Sequence, residues 1–138
     1  MDGDRHDRGL LAVLVVAAAA TVAVHVAYLP AYWPDELSEG LAGILIGWTA
    51  FTVVFYAIGR LRPNATELPN MRGADLGIAL AIVSLLLAGM TAGYGFQPED
   101  APWVFAVYAV GLYAGLALIG WSLGQRTRAI NRIVAEGP

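Results

Sequence analysis

The sequence predicts an all-α integral membrane protein whose four transmembrane helices form an up-down-up-down bundle, and three observations lead to this fold class. Hydrophobic residues make up 58% of the 138-residue chain and charged residues only 14%, whereas roughly 25% of a soluble domain is charged. The apolar residues are concentrated in four uncharged segments. The basic residues occur before the first of these segments, between the second and the third, and after the fourth. We therefore expect residues 1–138 to form a single transmembrane domain.

Each of the four uncharged segments is long enough to cross a bilayer. A hydrocarbon core of about 30 Å needs roughly 20 helical residues. The segments are apolar on every face, whereas the strands of a membrane β-barrel alternate apolar and polar residues. The predicted spans are residues 9–29, 40–59, 76–96 and 103–124. Residues 125–138 are expected to continue as a short, basic, amphipathic tail on anionic lipid headgroups, or else to contact a cytoplasmic partner.

The arginines predict the orientation of the chain, because cytoplasmic loops of membrane proteins carry an excess of positive residues. All eight basic residues are arginines. They precede the first span (Arg5, Arg8), lie between the second and third (Arg60, Arg62, Arg72) or follow the fourth (Arg126, Arg128, Arg132). The other two connections contain none. We therefore expect a multi-pass protein of the cell membrane with both termini in the cytoplasm.

Pairs of glycines four residues apart predict where the helices pack. Small residues let transmembrane helices approach closely, and this packing replaces the hydrophobic drive that lipid does not supply. The expected packing positions are Gly43 and Gly47 in the second span, Gly89 and Gly93 in the third, and Gly111 and Gly115 in the fourth. The pattern does not distinguish packing within the chain from self-association.

The residue types exclude several chemistries. The chain has no cysteine, which removes disulfides, thiolate catalysis and thiolate metal sites. A net charge of −3 speaks against nucleic-acid binding. No carboxylate lies within a span, although proton or cation coupling usually requires an ionisable residue there. We find no catalytic motif, so we expect no catalytic residue, no cofactor and no enzymatic activity.

His25 is the one histidine within a predicted span, and it lies near the outer end. Together with the outer carboxylates Glu39 and Glu99 it offers a weak candidate for a cation site on the outer face. The favoured interpretation is structural, with the imidazole hydrogen-bonded to a carbonyl or hydroxyl group. Apart from this candidate, no metal site is expected.

The sequence does not identify a specific biochemical activity. It favours a non-enzymatic subunit, scaffold or assembly partner that lies in the lipid bilayer and contacts other membrane subunits or a second copy of itself. The alternative is a small transporter or channel component, alone or as an oligomer. A continuous polar path through Thr49, Thr52 and Tyr108 would mark that alternative.

Overall fold

A computed structural model of the chain describes residues 2–62 and 68–137, and all regular elements in these ranges are helical. The elements are α1 (Asp2–Ala23), a π-helical turn (Val24–Tyr28), α2 (Leu29–Tyr32), α3 (Leu37–Leu61), α4 (Arg72–Gly93) and α5 (Pro102–Glu136). Four helical stretches are long and apolar enough to cross a membrane: Arg5–Tyr32, Leu37–Leu61, Arg72–Gly93 and Pro102–Glu136. The prediction of an all-helical chain with four such helices is therefore confirmed.

The helices extend beyond most of the predicted span boundaries. The first begins in the polar segment before residue 9, and α5 continues through the basic tail to Glu136. Hydropathy marks only the apolar part of a helix, whereas backbone hydrogen bonding continues until the chain meets a capping or turn residue. In α5 that residue is Gly137, whose φ of 71° is the left-handed conformation in which glycine is favoured.

The helices form a layer in the order α1, α3, α5, α4. Packing occurs between α1 and α3, between α3 and α5, and between α5 and α4. An up-down-up-down bundle places consecutive spans side by side, and this holds for α1 with α3 and for α4 with α5. In the described residues, however, α3 and α4 make no close backbone contact, because α5 lies between them.

Glycines of α5 allow this helix to pack closely against α4 on one side and α3 on the other. A Cβ atom at Gly115 would lie 2.6 Å from the carbonyl oxygen of Gly77 in α4. Gly120 and Gly124 instead lie directly against backbone carbonyl groups of α3, those of Thr52 and Tyr56. Only glycine permits backbones to approach this closely, and α5 has such glycines on the sides that contact α3 and α4.

The same contacts give the relative directions of the helices. The α1 extension runs antiparallel to α3, since Gly40 lies against Trp33 and Gly47 against His25. Similarly, α4 runs antiparallel to α5, because Gly77 lies near Gly115 and Gly111 near Ser84. By contrast, α3 and α5 run parallel.

Small residues dominate the contact surfaces, and no large side chain in the described ranges is fully buried. The buried apolar residues are Leu10, Ala17, Ala57, Ala74, Ala81, Leu112 and Ala129. Large apolar side chains such as Val16, Leu45 and Leu86 are instead mostly exposed. This distribution suits a bilayer, where lipid tails solvate apolar side chains and close packing of small residues holds helices together.

Candidate functional site

His25 lies in the π-helical turn Val24–Tyr28, immediately before α2. Pro30 follows it in the second position of α2. Proline has no N–H group, and its ring clashes with the carbonyl group four residues earlier in a regular α-helix. The wider turn relieves this conflict, and such turns often occur at functional sites. Pro30 is the sequence signal that marks this distortion.

Both ring nitrogens of His25 have partners in the protein. Nδ1 donates a hydrogen bond to the Thr21 carbonyl oxygen at 2.7 Å. Nε2 forms a hydrogen bond with the Tyr113 hydroxyl of α5. Because Nδ1 carries the proton, Nε2 of the neutral ring accepts the proton of the hydroxyl. His25 thus has both kinds of partner that the structural interpretation expects, a carbonyl and a hydroxyl group.

Residues of α3 hold the His25–Tyr113 pair in place. Gly47 leaves space for the imidazole, since a Cβ atom there would lie 2.8 Å from His25 Cε1. Phe51 packs edge-on against Tyr113, with ring centroids 4.9 Å apart. The pair therefore connects the α1 extension, α3 and α5, a role of Tyr113 that sequence reasoning missed.

An open cavity of about 380 Å³ lies beside His25. Its lining consists of His25, Leu29, Pro30, Trp33 and Ile44. Four of these side chains are apolar, and both nitrogens of the imidazole are already hydrogen-bonded. The cavity can therefore accept an apolar group, but its histidine is not available as a ligand or a base without breaking one of these bonds.

The weak candidate for a cation site on the outer face, His25 with Glu39 and Glu99, stays a prediction. Among the described residues, no group of three or more His, Cys, Asp or Glu side chains could hold a metal ion. Glu39 instead accepts a hydrogen bond from the adjacent Ser38 hydroxyl, and the ring nitrogens of His25 are taken. A cation at His25 would need a free ring nitrogen, so its binding would break one of the two hydrogen bonds of the imidazole.

Four of the six predicted packing glycines lie against another helical segment. Besides Gly47 and Gly115, Gly43 lies against the Tyr28 and Leu29 side chains and Gly111 against Ser84. At Gly89 and Gly93, by contrast, an added Cβ would meet nothing within 4 Å. The helix contact expected at Gly89 and Gly93 is therefore absent within the described chain, and contact with another chain stays a prediction.

The hydroxyl groups of Thr49, Thr52 and Tyr108 have separate hydrogen-bond partners. Thr49 and Thr52 each donate to the carbonyl group four residues earlier in α3, both at 2.8 Å. Tyr108 is hydrogen-bonded to Thr91 of α4 at 3.1 Å. Among the described residues, these hydrogen bonds do not link Thr49 or Thr52 to Tyr108.

A second group of polar side chains lies at the opposite end of the layer. Arg60 donates to His6 Nε2 at 2.6 Å, and Arg128 donates to the Arg60 carbonyl oxygen at 2.5 Å. Arg126 donates to the Pro69 carbonyl oxygen at 3.1 Å. These bonds bring the start of α1, the end of α3, the segment before α4 and the last part of α5 to the same end of the layer.

Comparisons of this chain with protein-family models, with curated proteins and with solved structures found no match. The functional argument therefore depends on the arrangement of the helices and on the contacts of their side chains.

Proposed function

We propose that this chain is an integral protein of the cell membrane with both termini in the cytoplasm, and that it is a non-enzymatic subunit or scaffold that assembles with other transmembrane helices. The open helix layer carries this proposal. Within the described residues α5 is packed on two sides, whereas α4 packs only against α5. A helix with one covered side has room for a partner on the others.

The surface of α4 that does not face α5 suits such a partner. Towards α5 the helix buries a row of small residues that includes Gly77, Ala81 and Ser84. Elsewhere, Leu86 is 60% exposed and Met90 56% exposed, and Gly89 and Gly93 are open beside them. Exposed glycines flanked by larger apolar side chains resemble the surfaces on which transmembrane helices pack closely.

The hydrogen bonding of the polar side chains supports a role without catalysis. His25 uses both ring nitrogens, and the hydroxyl groups of Thr49 and Thr52 are bonded within their own helix. A general base or nucleophile needs a group within reach of a substrate and a partner that activates it. These side chains instead tie backbone and helices together.

Two observations support the proposed orientation. The arginine-bearing segments must lie on one side of the membrane if positive residues are retained in the cytoplasm, and the bonds of Arg60, Arg126 and Arg128 bring these segments to one end of the layer. The two connections at the other end and the first turn of α3 carry acidic residues and no basic ones: Asp35, Glu36, Glu39, Glu99 and Asp100.

The assembly role can be tested by measuring the mass of the protein component after purification in mild detergent. We expect a mass above the 14.6 kDa of one chain, from a second copy or a different subunit. Gly93→Leu should reduce it, because the larger side chain would keep the partner helix away. Ala19→Leu, which also adds a leucine at an exposed position, should leave it unchanged.

A monomeric wild-type protein, or an assembly that survives Gly93→Leu, would contradict the proposed role. Solute or ion flux through vesicles that contain the purified chain would instead favour the transporter or channel alternative. Because a Cβ at Gly93 meets open space, the variant should remain folded, and its circular dichroism spectrum checks this.

A further inference from the structure

An apolar groove runs along the contact between α3 and α5 and ends at an arginine. Its volume is about 340 Å³. The groove is lined by Phe55, Ile58 and Arg62 on the side of α3, and by Ala117, Leu118 and Trp121 on α5. Arg62 directly follows the last residue of α3, and its side chain is exposed. The groove therefore combines an apolar wall with one positive charge at its end.

Close glycine packing explains why the groove exists. Gly59 lies against the Trp121 carbonyl group, and Gly124 against the Tyr56 carbonyl group. With the two backbones this close, the larger side chains cannot lie between the helices. Phe55 and Ile58 therefore form the wall of the groove on α3, and Leu118 and Trp121 form the wall on α5.

The lining matches one class of ligand. The apolar side chains suit an acyl chain, and indole rings such as that of Trp121 are enriched where hydrocarbon meets headgroups. A guanidinium group provides paired donors that fit the oxygens of a phosphate. Basic side chains at the end of a transmembrane helix favour anionic lipids.

We propose that the α3–α5 groove is a binding site for an anionic phospholipid, with an acyl chain along the apolar wall and the phosphate on Arg62. A free phosphate ion shares the headgroup chemistry but has no use for the apolar lining, so the lining assigns the site to the lipid. The site goes beyond the assembly role and does not depend on it, since the groove is formed by a single chain.

The proposal can be tested by native mass spectrometry of the full chain, released from mild detergent after incubation with equimolar phosphatidylglycerol and phosphatidylcholine. We expect wild-type protein to retain phosphatidylglycerol about fivefold over phosphatidylcholine, as one well-placed arginine allows. Arg62→Gln should bring this ratio close to one. Arg72→Gln removes the same charge from another exposed residue at this end of the layer and should leave the ratio unchanged.

A second variant tests the apolar wall independently. Ala117→Trp fills the groove and should lower the retention of both lipids. Glycerol phosphate, which carries the headgroup chemistry without an acyl chain, should fail to displace phosphatidylglycerol at equal concentration. Equal retention of the two lipids by wild-type protein would overturn the proposal. So would a loss of selectivity in Arg72→Gln as large as in Arg62→Gln, unchanged retention in Ala117→Trp, or displacement by glycerol phosphate.

Discussion

Replacing Gly115 with alanine should weaken the contact between α4 and α5 by an amount that follows from the structure. The added Cβ would lie 2.6 Å from the Gly77 carbonyl oxygen and 2.8 Å from the Ala81 backbone nitrogen. Both are backbone atoms, which cannot turn aside as the end of a side chain can. To reach an ordinary contact of about 3.4 Å, α4 must move away by about 0.8 Å.

The energetic effect of this movement can be bounded. A gap of about 0.5–1 Å removes a quarter to a half of the dispersion attraction between two surfaces, and overpacking typically costs about 1–3 kcal/mol. Alanine offsets up to about 1 kcal/mol of this because it favours helix more than glycine does. With the full offset, we expect Gly115→Ala to lower the free energy of unfolding by up to about 2 kcal/mol.

Gly9→Ala in α1 is the matched control for this prediction. It makes the same chemical change within a helix, but its Cβ meets nothing within 4 Å. Helix preference alone then raises the free energy of unfolding by up to about 1 kcal/mol. The assay is reversible unfolding of the purified chain by increasing SDS in mild detergent, followed by circular dichroism. A Gly115→Ala variant that is as stable as the control variant would refute the reasoning.

Two further predictions concern the His25–Tyr113 pair and the orientation. Tyr113→Phe and His25→Gln should each lower the free energy of unfolding. A double-mutant cycle should give a coupling energy of about 0.6–1.7 kcal/mol, which lies between the average and the largest value for hydrogen bonds between membrane helices. Additive effects of the two substitutions would show that the bond contributes nothing. In intact cells, cysteines at Ser38 and Ala101 should react with an impermeant thiol reagent and one at Ala135 should not, because only the first two lie at the proposed outer end of the helices. The opposite pattern would reverse the topology.

The four helices could be predicted from the sequence because their signal is local. Uncharged apolar stretches of about 20 residues have few alternatives to a spanning helix. The basic tail could likewise be predicted as helix, since its apolar residues recur at helical spacing, and α5 does continue through it. The position of α5 between α3 and α4 could not, because that order depends on which glycine pairs meet across the layer.

The spacing of glycines along a helix does not predict which of them contact another helix. Gly89–Gly93 and Gly111–Gly115 have the same spacing, yet only the second pair lies against a helix of this chain. Which pair is covered is decided by tertiary packing, and spacing carries no information about it. The hydrogen-bond partner of His25 could not be predicted either, because Tyr113 lies 88 residues further along the chain and is one of six tyrosines in the sequence.

Photo-crosslinking from Leu86 in native membranes tests the assembly role most directly. Leu86 lies on α4 and is 60% exposed in the single chain, so a photoreactive amino acid there reports what covers this surface. The open layer predicts crosslinks to a second polypeptide chain, a copy of itself or another subunit, that disappear when Gly93→Leu is added. If the chain without Gly93→Leu forms adducts with lipid alone, this result would contradict the proposed role as a subunit or scaffold.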